Sequence, residues 1–261
     1  MALVHGVPHC IALSPITPMS KPVPAANTPA QPSLHPLAEG LSQGLKALGM
    51  SLTPTQERQL LDYVDLIQKW NKVYNLTAVR DPVEMLTHHL LDSLAVVAPL
   101  RRHTQNQAAK VLDVGSGAGL PGTVLAIVCP ELAVTCVDTV AKKAAFIQQA
   151  AVTLKLPNLR GVHARVEALK TEAFDIVTSR AFSSLIDFVT LTRFHVKQAL
   201  VDGTSDQGPK GAGVWMAMKG KHPADELAAL PKDVAVFHVE QLDVPGLGAE
   251  RCLVWMRPSG S

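Results

Sequence analysis

Apolar residues after Leu52 recur with the period of a helix, and the chain carries clear helix starts. Residues 53–56 (TPTQ) combine an N-cap threonine, a proline at the first helical position and a capping-box glutamine, which predicts a helix from residue 54 to about residue 75. Residues 81–84 (DPVE) repeat this arrangement, and the apolar side that follows predicts a second helix that ends near Pro99. The first hundred residues are therefore expected to be a tail followed by a helical cap.

Beyond Lys110 the pattern changes to short, nearly continuous apolar runs that alternate with helical stretches. The runs predict strands at residues 111–114, 133–137, 159–163, 175–179, 213–218, 234–239 and 251–256. The intervening stretches predict helices at residues 121–129, 140–155, 184–200 and 223–230, and a mobile surface loop at residues 202–213. Such runs indicate an α/β fold with a parallel sheet covered on both faces, in which the last two strands form an antiparallel edge pair.

Composition adds a domain plan to this pattern. With 47% hydrophobic and 18% charged residues over 261 positions, the chain has the composition of a globular protein. Residues 1 to about 40 hold eight prolines but one lysine and one acid, which predicts a disordered tail. Residues 41–100 are expected to form an N-terminal helical cap, and residues 101–261 an α/β domain that makes one globular unit with the cap.

Cysteine use, charge and hydropathy exclude several classes of protein. The four cysteines form no C-x-x-C pair and no zinc spacing, so neither a disulfide framework nor a metal site is expected, and a reducing cytosol is the natural location. His88, His89 and Asp92 lack a third spaced ligand, so packing and hydrogen bonding are favoured over a metal. No apolar stretch approaches the roughly 20 residues that span a bilayer, and a formal charge of +2 leaves the partner open.

Residues 111–122 (VLDVGSGAGLPG) place four glycines directly after the first predicted strand. A P-loop would need Gly-Lys-Ser/Thr at its end, but no lysine occurs between Lys110 and Lys142. A dinucleotide fingerprint that begins at Gly115 would need a third glycine where Leu120 stands, and one that begins at Gly117 fits only weakly. Both common phosphate-binding patterns are therefore disfavoured.

The arrangement that does fit is D-x-G-x-G-x-G with an acid, Asp138, at the end of the second predicted strand. Such an acid can accept hydrogen bonds from both ribose hydroxyls of NAD or of S-adenosylmethionine. Two structural alternatives are a tight turn without a ligand and a helix-capping role for Asp138. These residues alone leave the ligand open.

Several separated segments carry a family resemblance over roughly residues 41–257. They are QKWNKVYNLTAVRDPVEML, HHLLDSLAV, LDVGSGAGLPG, DTVAKKAAFI, ARVEAL, SRAFSSL and MKG. Together they resemble the RsmG (glucose-inhibited division protein B) family. The resemblance implies a Rossmann-like class I S-adenosylmethionine-dependent methyltransferase fold with an N-terminal helical cap. It also implies methylation of N7 of a guanine in 16S ribosomal RNA, guanine 527 in the conventional rRNA numbering, with S-adenosylhomocysteine as the product.

The same resemblance implies the site residues. The cofactor-binding set is Gly115, Gly117 and Leu120 around the methionine part, Asp138 at the ribose, Val166 and Glu167 beside the adenine, and Arg180. Arg180 is also the expected catalytic residue, because it corresponds to a position that faces the cofactor and the catalytic pocket. The family often has a basic residue where His88 stands. The implied partner is 16S ribosomal RNA or the small ribosomal subunit, without a metal or a membrane, and the chain is expected to be a cytoplasmic monomer.

Guanine N7 carries a free lone pair, so methyl transfer to it needs no general base, and positioning is the main catalytic contribution. Arg180 is accordingly expected to position the reactants or face the RNA; a strand-end salt bridge is the alternative. The candidate RNA-binding residues are Arg101, Arg102, Lys142, Lys143, Lys219 and Lys221, with Phe182 as a possible stacking partner. Two other functions stay open on the residues alone: an NAD-dependent oxidoreductase and a non-catalytic RNA-binding module.

Overall fold

A computed structural model describes residues 1–3, 35–180, 182–198 and 212–259. The chain divides at residue 35, and the second unit, His35–Ser261, contains all the helices and strands described below. Most of the predicted proline-rich tail and almost all of the predicted loop at residues 202–213 lie outside the described residues. Within the described residues, no helix combines the length and the apolar character that a membrane span requires.

One seven-stranded sheet forms the centre of the second unit, with the strand order β3-β2-β1-β4-β5-β7-β6. The strands are β1 (Ala109–Val114), β2 (Leu132–Asp138), β3 (Leu159–His163), β4 (Ile176–Ser179), β5 (Val214–Lys219), β6 (Val234–Gln241) and β7 (Cys252–Pro258). The first five are parallel, whereas β7 runs antiparallel to both β5 and β6. This confirms the predicted α/β class and the antiparallel edge pair.

Helices cover both faces of the sheet. They are α1 (Ala38–Ala47), α2 (Pro54–Tyr74), α3 (Pro82–Met85), α4 (Asp92–Leu94), α5 (Val97–Thr104), α6 (Gly122–Val128), α7 (Ala141–Thr153), α8 (Leu185–Thr192) and α9 (Ala224–Ala228). Successive strand residues enter two separate cores: Val111 packs with the cap, α6 and α7, and Leu112 packs with α8. This alternation is the reason the strands read as continuous apolar runs.

The start of α2 follows its sequence signals closely. The Thr53 hydroxyl accepts the N–H of Gln56 at 3.2 Å, and the Gln56 side chain accepts the N–H of Thr53 at 3.0 Å. Asn75 ends the helix in the left-handed conformation, with a φ of 49°. The predicted helix from residue 54 to about residue 75 is therefore confirmed.

The predicted end of the second helix near Pro99 is wrong. From the Asp81 cap the chain passes through α3, a π-helical segment (Leu86–Leu91) and α4, and it then begins α5 at Val97. Pro99 lies in the first turn of α5, where its missing N–H would have no partner within the helix. The proline therefore starts a helix that continues to Thr104, instead of ending one.

The predicted helix over residues 184–200 is also too long. Helix α8 ends at Thr192, and a short 3₁₀ segment (Arg193–His195) follows it. Beyond this segment, Val196 pairs with Phe174 in a parallel bridge, and the N–H of Lys197 donates to the Phe174 carbonyl at 2.9 Å. Long-range backbone pairing next to β4 therefore overrides the local helical pattern.

Candidate functional site

The glycines after β1 adopt backbone conformations that favour glycine. Gly115, Gly117 and Gly119 have φ values of +66°, +59° and +86°, which other residues rarely adopt. A Cβ atom placed on Gly115 or Gly117 would meet no protein atom within 4 Å, whereas one on Gly119 would lie 2.4 Å from the Thr123 hydroxyl. The first two glycines thus leave open space for a ligand, and the third permits close packing.

Asp138, the last residue of β2, is bound to the glycine loop. Its Oδ2 accepts the N–H of Gly117 at 3.0 Å, and its Oδ1 accepts the N–H of Val140 at 2.8 Å. Val140 is itself the N-cap residue of α7, and this helix start has no side-chain cap, so the helix-capping alternative for Asp138 is wrong; Asp138 instead holds the backbone just before the helix. A carboxylate has about four acceptor positions, so each oxygen keeps one for a ribose hydroxyl. The backbone contacts of Asp138 are therefore compatible with cofactor binding.

A cavity of about 510 Å³ opens beside Asp138; we call it the Asp138 cavity. Four predicted cofactor residues line it: Gly115, Asp138, Val166 and Glu167. Its volume lies within the range of small-molecule sites. Arg165 and Phe182 also line it, although the sequence analysis did not assign them to the cofactor; they belong to the ARVEAL and SRAFSSL segments. The cavity therefore joins residues that follow β1, β2, β3 and β4.

Three other predicted site residues do not line the Asp138 cavity. Gly117 instead donates its N–H to Asp138. The Leu120 side chain is buried in the core that includes α6 and α7. Arg180 lines a second cavity of about 350 Å³ together with His88, Asp92, Lys219 and Arg251; we call it the Arg180 cavity.

Asp92 is the centre of the Arg180 cavity. Its carboxylate is only 2% exposed and pairs with two guanidinium groups, at 3.2 Å to Arg180 Nη1 and at 2.9 Å to Arg251 Nε. Arg180 Nη1 also donates to the His88 carbonyl at 2.8 Å. Arg180 therefore forms the salt bridge that was considered as an alternative to a functional role. This salt bridge joins the cap, through Asp92, to the end of β4. No sequence pattern indicated Arg251, which is 159 positions from Asp92.

The weak metal pattern at residues 88–92 has other partners. Asp92 pairs with arginines, and His89 Nε2 lies 2.9 Å from the Thr77 hydroxyl. Burial lowers the pKa of His89 to about 4, so this ring is neutral at pH 7. Over the part of the chain that the structure describes, no group of three histidine, cysteine or acidic residues is placed to hold a metal ion.

Half of the candidate RNA-binding residues already have intramolecular partners. Arg101 donates to the Val128 carbonyl at 2.8 Å, Arg102 pairs with Glu240, and Lys219 lies 2.8 Å from Glu226. The remaining candidates differ in exposure: Lys142 and Lys221 are exposed and Lys143 is half-buried. Lys142 and Lys143 begin α7 directly after the Asp138 edge of β2. These residues remain candidates for contact with phosphate.

Tyr63 of α2 connects the cap to the glycine loop. Its side chain is fully buried, and its hydroxyl donates to the Ala118 carbonyl at 2.5 Å. Burial raises the pKa of Tyr63 well above its usual value, which keeps the hydroxyl protonated as a donor. The contact spans 55 positions of the sequence, so no local pattern indicated it.

Tyr63→Phe should lower the free energy of unfolding by about 1–3 kcal/mol, because the Ala118 carbonyl would stay buried without its donor. Denaturation in urea measures this change. Tyr74→Phe is a matched control on the same helix, since Tyr74 is 40% exposed and its variant should match the wild type. Equal stability of the two variants would contradict the role of Tyr63.

Asp113 of β1 is a fully buried carboxyl group whose Oδ2 accepts the N–H of Gly122 at 2.9 Å. Burial raises its pKa from 3.8 to about 7. Because the folded-state value is the higher one, the stability that this group contributes is present below about pH 4 and is lost as the pH rises to about 7.

Asp113→Asn keeps an acceptor for Gly122 but cannot ionise. Its unfolding free energy relative to wild type should therefore rise between about pH 4 and pH 7 and then level off. The total gain should be on the order of 4 kcal/mol, from about three pKa units at ~1.4 kcal/mol each. His89 shifts stability in the opposite direction in both proteins, so the difference isolates Asp113. Urea unfolding across this range measures it, and a difference independent of pH would contradict the assignment.

Comparisons with known proteins identify the family of this chain. A family model described as "rRNA small subunit methyltransferase G" (GidB) matches residues 56–254. A protein named ribosomal RNA small subunit methyltransferase G from Polaromonas sp. (strain JS666 / ATCC BAA-500) is 66% identical over 84% of this chain and 92% of its own. Its namesake from Acidovorax ebreus (strain TPSY) is 61% identical over 85% of this chain and 96% of its own. The chain therefore belongs to the GidB family, rRNA small subunit methyltransferase G.

Proposed function

We propose that this chain transfers a methyl group from S-adenosylmethionine to N7 of a guanine in 16S ribosomal RNA, at guanine 527 in the conventional numbering. The observation that carries the proposal is the placement of the two cavities. The Asp138 cavity lies at the ends of β1 and β2, and the Arg180 cavity lies at the ends of β4 and β5. Because β1 and β4 are neighbours in the sheet, a donor and an acceptor would meet at one edge.

The residues of the Asp138 cavity suit S-adenosylmethionine. Asp138 has acceptor positions for the ribose hydroxyls, and Val166 and Glu167 flank the space for the adenine. Gly115 and Gly117 leave room for the methionine part, and Leu120 continues that loop. When bound, the cofactor supplies a methyl group on a sulfonium for in-line displacement.

The Arg180 cavity suits the acceptor side. Guanine N7 attacks with its own lone pair, so no residue has to remove a proton beforehand. Arg180 is held by His88 and Asp92, and we assign it the task of positioning the acceptor. Held geometry of this kind can supply roughly 7–11 kcal/mol of a barrier.

Methyl transfer can be tested directly. The protein is incubated with S-adenosylmethionine labelled in its methyl group and with small ribosomal subunits, or their 16S RNA, that lack the modification. Label should appear at one guanine, and chain cleavage specific for N7-methylguanine should locate it. Already modified subunits serve as the control and should take up no label. Label at another position, or no label on either substrate, would refute the proposal.

A second assay separates this function from the two alternatives. S-adenosylhomocysteine should raise the melting temperature, whereas NAD should not. Stabilisation by NAD alone would favour an oxidoreductase, and RNA binding without methyl transfer would favour a non-catalytic module. The proposal also includes action in the cytoplasm, where ribosomal subunits are assembled. It includes action as a monomer as well, and sedimentation of the pure protein tests the oligomeric state.

A further inference from the structure

We propose that the Arg180 cavity binds a backbone phosphate of the RNA segment that carries the target guanine, and that Asp92 is the positioning residue for the two arginines that hold it. The inference rests on the proposed function and names the RNA group that this part of the site receives. It is carried by the charge balance, the burial and the hydrogen bonds of Asp92, Arg180 and Arg251.

The charge balance of the cavity favours an anion. Two guanidinium groups share one carboxylate, Asp92, and the other cation that lines the cavity, Lys219, is already paired with Glu226. One positive charge is therefore left over in a partly buried site, since each arginine side chain is 24% exposed. A neutral guanine base would not balance this charge, whereas a phosphate would.

The hydrogen bonds leave the right donors available. Arg180 uses Nη1 for both Asp92 and the His88 carbonyl, and Arg251 uses Nε for Asp92 and Nη1 for the Glu250 carbonyl. Among the described residues, the Nη2 group of each arginine makes no hydrogen bond. A planar guanidinium with two donors in a fixed fork matches phosphate oxygens.

Asp92 fixes the orientation of both guanidinium groups, those of Arg180 and Arg251. It directly follows the π-helical segment (Leu86–Leu91) of the cap, and such segments often mark functional sites. Its two oxygens each bind one arginine, one from the end of β4 and one from the start of β7. Without this carboxylate the two like charges would repel each other and lose their common orientation.

The salt dependence of RNA binding tests the phosphate contact. Arg251→Gln should weaken binding to unmodified small-subunit RNA about tenfold and lower the slope of log affinity against log salt by about 1. Arg257→Gln is the matched control, because it removes the same charge at the other end of β7, where Arg257 lies over the Phe237 ring. The control should keep the wild-type affinity and slope.

Two further variants separate positioning from folding. Asp92→Asn keeps the size of the side chain but not its charge; kcat should fall at least tenfold while the Kd for S-adenosylmethionine stays within about twofold. Arg251→Lys, which keeps the charge but not the fork, should retain the salt slope and bind RNA several-fold more weakly. If Arg251→Gln does not fold, the Arg251→Lys result decides the same question.

Wild-type affinity and slope in Arg251→Gln, or wild-type kcat in Asp92→Asn, would overturn the inference. Inorganic phosphate provides a further test. If phosphate raises the melting temperature of the wild type but not of Arg251→Gln, and the two proteins bind RNA equally well, then the site binds a free anion and not the RNA backbone. That result would also overturn the inference. If the wild-type enzyme methylates 16S RNA while these variants behave normally, only this inference fails. If the wild type methylates no 16S RNA, the proposed function fails first.

Discussion

Asp138→Ala should lower the affinity for S-adenosylmethionine by about a hundredfold or more. Each hydrogen bond from a ribose hydroxyl to a carboxylate contributes about 1.5–3 kcal/mol, and ~1.4 kcal/mol corresponds to a factor of ten in affinity. The variant also removes the acceptor that holds the N–H of Gly117, which loosens the glycine loop. Isothermal titration calorimetry measures the change, and RNA affinity should fall much less.

Asp175→Ala is the matched control for this prediction. Its carboxylate lies just before β4 and accepts the N–H of Lys110 at 2.8 Å, so it also joins a side chain to the backbone, but it does not line the Asp138 cavity. Its affinity for the cofactor should stay within about twofold of wild type. Asp138→Ala with unchanged affinity would show that Asp138 serves only its backbone contacts with Gly117 and Val140.

Arg180→Ala should lower the single-turnover rate of methyl transfer about 10²–10³-fold while the Kd for S-adenosylmethionine changes by less than about threefold. The side chain lines the Arg180 cavity, where we propose that the acceptor binds, and not the Asp138 cavity. Its loss removes the link between the cap and the end of β4, and a misplacement of about 1 Å can cost a factor of 10² in rate. Labelled cofactor and unmodified small subunits provide the measurement.

Arg193→Ala is the control for Arg180→Ala. Arg193 pairs with Asp233 and lines neither of the two site cavities, so its variant should turn over at the wild-type rate. Arg180→Lys should recover only part of the activity, because an ammonium cannot bond Asp92 and the His88 carbonyl with the same planar geometry. A wild-type rate of methyl transfer in Arg180→Ala would show that Arg180 has no role in the reaction.

Local sequence was sufficient where the physical cause is local. The capping box at Thr53 and Gln56 located the start of α2 because both partners lie within one helical turn. Apolar runs identified the strands, most clearly β4 and β5, whose residues are nearly all buried because helices cover both faces of the sheet; the edge strand β6 is partly exposed along its whole length. The glycine loop and Asp138 could be predicted to bind a ligand for two local reasons. The glycines occupy backbone conformations that favour glycine, and Asp138 ends the strand that lies next to β1.

Local patterns failed where distant residues decide the outcome. Helix α8 ends early because Val196 pairs with Phe174. The error at Pro99 has a local cause instead, because a proline in the first turn removes no helical hydrogen bond and can therefore begin a helix as well as follow one. The pairing of Val196 with Phe174 is not visible within a window of a few residues.

By itself, the sequence determined the α/β class, most element boundaries and the loop that holds the cofactor in our proposal; its separated motifs pointed to the family. Only the tertiary structure decided that Tyr63 supports the glycine loop and that Asp92 binds both Arg180 and Arg251, across 88 and 159 positions. The reason is physical: helix caps and strand patterns depend on neighbours along the chain, whereas these contacts exist only once the cap has packed against the edge of the sheet.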